Sequence, residues 1–171
     1  MNNRSKKTNY HINKVCIKKV QKKLRWGVDS VKAQKIACNN KKFAEKKGYW
    51  DTLPKFKKTI EIAKKTGNPI KFYDSVTSIL LFVAPKRRTM NDFLTETKKH
   101  GWPSFREFEI VKKNLIELNN GRIISKDGTH LGHNIPDGNN RYCIDLVSIS
   151  GKKGKKLFNK KSKKIKINKK N

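Results

Sequence analysis

At 171 residues the chain has room for one domain of about 100–150 residues with extensions. Its formal net charge of +30 far exceeds what solubility needs and implies an anionic partner: nucleic acid, an anionic membrane or an acidic protein. Three cysteines, at 16, 38 and 143, are too few for a disulfide scaffold, and the absence of any C-x-x-C pair excludes an intrachain zinc site of four cysteines.

Charge divides the chain into three. Residues 1–47 carry 15 Lys/Arg and 2 acids, residues 48–150 carry 17 and 11, and residues 151–171 carry 11 lysines and no acid. Most aromatic residues, Trp50, Trp102 and Phe105 among them, lie in the middle segment, so the folded domain is expected at 48–150. Residues 1–47 read as a partly helical basic extension. Residues 151–171 read as a disordered Lys-rich tail, too polar to offset its ordering entropy.

In chain order, the start MNNRSKKTNYHINK lacks an apolar core and is not expected to be a secretory signal. HINKVCIKKVQKKLRW places Ile12, Val15 or Cys16, Val20 and Leu24 at spacings of three and four, which predicts a basic amphipathic helix. LPKFKKTIEIAKKTGNP predicts a second helix, with Phe56, Ile60 and Ala63 on one side and Gly67 and Pro69 as its stop. ILLFVA, residues 79–84, is too short to span a membrane and reads as a buried strand or helix segment. NDFLTETKKHG predicts a short helix, with Asn91 or Asp92 near the N-cap and Gly101 at the end. After Pro103 the texture is strand-like: FREFEIV, GRIIS and RYCIDLVSI, with KDG and PDGNN as turns at hairpin spacing. The expected fold is therefore mainly β with N-terminal helices, a small antiparallel sheet or barrel carrying basic terminal extensions.

The stretch THLGHNIPDGNNRYCIDLVSI raises a chemical question. A lone cysteine in a strand is usually inert packing, and two histidines three apart are often loop residues. Yet the PDGNN turn would fold His130 and His133 back beside Cys143. Arg141, two residues before the cysteine, adds the positive potential that a thiolate needs, and the histidines can supply and hold protons.

Four motifs in order, GWPSF at 101–105, HLGH at 130–133, DG at 137–138 and RYCI at 141–144, resemble the B-type methionine-R-sulfoxide reductases (MsrB, SelR). The likeness is strongest over residues 101–150. It implies that Cys143 is the nucleophile, attacking a sulfoxide sulfur and becoming a sulfenic acid. It implies that His133 handles the sulfoxide oxygen, His130 helps it, and Arg141 lowers the thiol pKa. Trp102 would receive the substrate methyl group, with Phe105 sharing the substrate pocket. It further implies a methionine-sulfoxide-containing protein as substrate, an external thiol reductant such as thioredoxin or glutaredoxin, and no zinc or other cofactor.

The chain also departs from that pattern. Asp145 stands where the family commonly has asparagine, and an anion near a thiolate raises its pKa. His100 occupies the usual place of the resolving cysteine, so turnover needs Cys16, Cys38 or an external thiol. The interval between Trp102 and Cys143 is shorter than typical. Two functions thus compete: a one-cysteine reductase with basic arms, or a reductase-derived basic component of a nucleoprotein assembly. A weaker third is an anionic-membrane binder acting through the N-terminal helix. In the tail, Lys152, Lys153, Lys155, Lys156, Lys160, Lys161, Lys163 and Lys164 are the expected nucleic-acid contacts. The expected location is intracellular: cytoplasmic, nuclear or inside a nucleoprotein particle.

Overall fold

The structure is a computed structural model that describes residues 18–39 and 44–155. Among the described residues are three α-helices, α1 (Ser30–Asn39), α2 (Pro54–Thr66) and α3 (Met90–His100). A two-stranded hairpin pairs β1 (Ile70–Tyr73) with β2 (Leu80–Ala84). A five-stranded sheet is built from β3 (Ser104–Arg106), β4 (Leu115–Glu117), β5 (Arg122–Ser125), β6 (His130–Asn134) and β7 (Arg141–Ile144), in the order β3-β7-β6-β5-β4. Every described strand pair is antiparallel. Among the described residues β3 and β4 are the sheet's two edges, so the described strands form an open sheet and not a closed barrel.

Local chemistry explains most of these boundaries. α2 starts with Pro54 at its first position, where a missing N–H costs nothing, and ends at Gly67 in the left-handed conformation (φ 71°). Its buried face is Phe56, Ile60 and Ala63, as the periodicity predicted. α3 carries a reciprocal capping box: the Thr89 hydroxyl accepts the Asp92 N–H and the Asp92 carboxylate accepts the Thr89 N–H. The cap is thus Thr89, one turn earlier than Asp92. ILLFVA forms β2, with Leu81, Phe82 and Ala84 fully buried. The KDG turn joins β5 to β6, and the loop holding PDGNN joins β6 to β7.

The N-terminal segment departs from expectation. Residues 11–17 lie outside the described residues, and 18–24 form no helix. Trp26 and Gly27 both take positive φ, which breaks any helix running through them. The chain restarts as α1, where Asp29 Oδ1 accepts the Val31 and Lys32 N–H groups. Leu24, Trp26, Val28, Ala33 and Ile36 are part of the hydrophobic core, so packing begins well before residue 48. Two strands are also shorter than expected. FREFEIV turns into a 3-10 helix at Glu107–Glu109, and RYCIDLVSI stops pairing after Ile144 and becomes one at Leu146–Ser148. Alternation over the second half of that stretch is therefore not strand alternation.

An aromatic chain ties the layers together. Trp26 packs edge-on to Phe56, Phe56 on Phe72, Phe72 on Phe105, and Phe105 stacks on Phe82 with centroids 4.2 Å apart. Beside it, Arg88 forks onto the fully buried Glu109 with two 2.8 Å bonds and also donates to the Ser104 carbonyl. This buried pair fixes the start of β3 against α3. Among the described residues, no helix is long and apolar enough to cross a membrane.

Candidate active site

Cys143 occupies the middle of the β3-β7-β6 triplet. Its register partners are Ser104 on β3 and His133 on β6. Directly opposed residues present their side chains on the same face, and the strand's period of two puts Arg141 there as well. Cys143 is a half-buried free thiol. Close strand approach is enforced at Gly132: a Cβ there would lie 2.0 Å from the Cys143 carbonyl oxygen. The HLGH glycine is therefore what lets β6 and β7 hold His133 opposite Cys143.

Arg141 is buried, and its Nε and Nη1 have no hydrogen-bond partner. Its positive charge and a hydrogen bond to the Cys143 sulfur lower the thiol pKa. Burial outweighs both, and the Asp145 and Glu45 carboxyls add to it, so the thiol is pushed up to about 11. Arg141 thus lowers the thiol pKa, but by less than burial raises it. His133 is exposed at its tip; burial of the ring, then the neighbouring His130, lowers its pKa, which leaves it a neutral base at pH 7.

His130 is buried and held from both sides. Arg122 Nε donates to His130 Nδ1 at 2.9 Å. A guanidinium cannot accept, so Nδ1 is the unprotonated nitrogen and Nε2 carries the hydrogen. Nε2 faces Asp145 Oδ2 at 3.6 Å, an electrostatic contact longer than a hydrogen bond. His130 thus has a fixed tautomer and lies edge-on to His133, ring centroids 5.9 Å apart. It supports His133 and has no exposed face of its own toward a substrate.

Glu45, which the sequence reading passed over, is the hub of this region. Its carboxylate accepts the Leu146 and Val147 N–H groups at 2.6 and 3.1 Å. Its own N–H donates to Asp145 Oδ1 at 3.0 Å, and its carbonyl accepts the Trp102 indole N–H at 3.1 Å. One residue thereby fixes the chain after Cys143, orients Asp145 and anchors the Trp102 ring. Full burial, reinforced by the Asp145 carboxylate, raises the Glu45 carboxyl well above the usual range. Its sequence signal is slight: a lone acid in the basic run KKFAEKK.

The remaining expected residues divide. Trp102 is half-buried, with its indole N–H on the Glu45 carbonyl. Phe105 is fully buried in the aromatic chain and turned to the opposite face from Ser104, so it supports the core and is not a substrate contact. His100 is half-buried; burial and the Arg141 charge lower its pKa. Lys152, Lys153 and Lys155 are exposed, while Lys156, Lys160, Lys161, Lys163 and Lys164 lie outside the described residues, as does Cys16. A cavity of about 940 Å³ between α3, Phe108 and the β6–β7 loop includes none of these residues in its lining.

No family model matches the chain, and no curated protein or solved structure matches it.

Proposed function

We propose that the protein reduces methionine R-sulfoxide in proteins, with Cys143 as nucleophile and basic segments that bind nucleic acid. The observation that carries this reading is the juxtaposition of Cys143 with His133 across one register pair, beside a buried Arg141 with unpartnered N–H groups. His133, neutral at pH 7, takes the thiol proton. The thiolate attacks the sulfoxide sulfur, and Arg141 stabilises the anion as it forms. His133 then returns the proton as the sulfoxide oxygen passes to the cysteine sulfur. The products are methionine and a Cys143 sulfenic acid: the substrate sulfur is reduced by two electrons and the cysteine sulfur oxidised by two. A first external thiol condenses with the sulfenic acid, releasing water and leaving a mixed disulfide. A second thiol reduces that disulfide and restores Cys143. Trp102, held by Glu45, supplies a flat apolar wall for the S-methyl group.

The elevated thiol favours a second reading, in which the domain has lost turnover and serves as a basic nucleoprotein component. One assay separates the two: reduction of R- against S-methionine sulfoxide with dithiothreitol as donor. Turnover of the R form that Cys143→Ser abolishes supports the reductase. No turnover, and no sulfenic acid on Cys143 after incubation with the R-sulfoxide, refutes it.

A further inference from the structure

The basic charge of this chain sits at its two ends in sequence, yet the fold joins the described parts of those ends at one residue. The Gln21 N–H donates to the Ser75 carbonyl at 2.9 Å. Its side-chain Oε1 accepts the Lys152 N–H at 2.8 Å, and Nε2 donates to the Lys152 carbonyl at 3.4 Å and to the Ser78 hydroxyl. Close by, the Arg25 N–H donates to the Ser150 carbonyl at 2.8 Å and the Gly151 N–H to the Tyr73 carbonyl at 2.9 Å. Gly151 approaches so closely that a Cβ would lie 2.1 Å from the Asp74 carbonyl oxygen. Residues 18–25 and 150–155 therefore run as neighbours over the β1–β2 hairpin, each held by backbone bonds.

The charge at this junction is one-sided. Lys18, Lys19, Lys22 and Lys23 on one segment are exposed, as are all three lysines of 152–155 on the other. Segments 18–28, 70–79 and 146–155 contain a single acid, Asp74. That carboxylate is fully buried, and its Oδ1 accepts the Val76 and Thr77 N–H groups and the Thr129 hydroxyl. Lys19, Lys22, Lys23, Lys152, Lys153 and Lys155 meet no surface carboxylate on these segments.

We propose that the two basic segments form one composite surface, organised by Gln21, for the sugar–phosphate backbone of a duplex nucleic acid. This rests on the nucleic-acid-binding part of the function proposed above and gives it a location. The chemistry fits phosphate and not bases. Lysines act as point charges, whereas base readout uses a free guanidinium fork. The one arginine here, Arg25, donates to the Lys71 carbonyl and lies over the Trp26 ring at 4.1 Å. Trp26 itself is buried, so it offers no platform for stacking unpaired bases.

The test uses the full chain and a labelled 20-base-pair duplex of mixed sequence, with anisotropy followed against salt. Each lysine on a phosphate adds about 0.9 to the log–log slope. Neutralising the first segment (Lys18→Gln, Lys19→Gln, Lys22→Gln and Lys23→Gln together) should flatten the slope by roughly 2 to 4. Neutralising Lys152, Lys153 and Lys155 should flatten it by roughly 2 to 3. Gln21→Ala, which changes no charge, should weaken binding several-fold at fixed salt. A wild-type slope in the first variant, or wild-type affinity in Gln21→Ala, overturns the composite surface and leaves nucleic-acid binding by the tail standing. Failure of the wild type to bind the duplex at low salt overturns both. Tighter binding to phosphatidylserine vesicles than to the duplex also overturns the proposal and assigns the surface to a membrane.

Discussion

Replacing Asp145 with asparagine removes one negative charge from the surroundings of Cys143 and keeps an oxygen to accept the Glu45 N–H. The thiol stands at about 11, with burial as the largest cause and the Asp145 charge among those that raise it. At pH 7 such a thiol is ionised in about one molecule in ten thousand. Two residues of extended chain span about 6.6 Å. Across roughly that distance, with an effective dielectric between about 80 and 20, two unit charges repel by about 0.6–2.5 kcal/mol. Asp145→Asn should therefore raise the thiolate population by roughly three- to seventy-fold, since about 1.4 kcal/mol is a factor of ten. The assay is iodoacetamide alkylation between pH 7 and 10, with Cys143→Ser as the blank for the other cysteines. The variant should react faster at every pH in that window, and its R-sulfoxide turnover should rise with it. An unchanged or slower alkylation would refute the reasoning, because it would mean that the Asp145 side chain does not act on the thiol.

Other outcomes follow from the same geometry. Gly132→Ala should push β6 from β7, since the added carbon meets the Cys143 carbonyl at 2.0 Å; both thermal stability and R-sulfoxide turnover should fall. Arg88→Ala should cost about 3–5 kcal/mol in urea unfolding, because it removes the charged partner of the fully buried Glu109 carboxylate and leaves it only the Lys86 and Arg106 N–H groups. Glu45→Ala, which leaves the Leu146 and Val147 N–H groups without their acceptor, should cost roughly 2–5 kcal/mol and loosen Trp102, read as a red shift of indole fluorescence; Glu45→Gln should be far milder. Because the Glu45 carboxyl is raised in the folded state, its contribution is fully present below the ordinary carboxyl pKa and is lost as pH rises, so Glu45→Gln should flatten the fall in melting temperature above about pH 5. Asp137, held near 2 mainly by its hydrogen bond to Arg106, has the opposite sign: its contribution is present above about pH 4 and is lost as pH falls toward 2. Removal of residues 156–171, and not of 151–171, is the clean tail truncation, since Gly151 and Lys152 are built into the fold; it should flatten the salt slope of duplex binding and leave small-sulfoxide reduction unchanged.

The sequence by itself determined what is encoded over a few neighbouring residues. The apolar spacing and the Gly67 stop of α2, the Gly101 stop of α3, and the KDG and PDGNN turns are local chemistry and were legible. The sequence also placed Cys143, His133 and Arg141 near one another, because a hairpin turn of known length does so without reference to the rest of the chain. Helix α1 was obscured, because the apolar spacing upstream of it ignores the break that Trp26 and Gly27 impose through their positive φ. What only the tertiary structure decided involves partners far apart in the chain. Glu45 meets Leu146 at a separation of 101 residues and Gln21 meets Lys152 at 131, and neither pairing leaves a periodic trace. The same holds for charge balance at the thiol. Arg141 beside Cys143 reads as activating, but the penalty of removing a thiolate from water depends on what packs over it, and that is set by the whole fold.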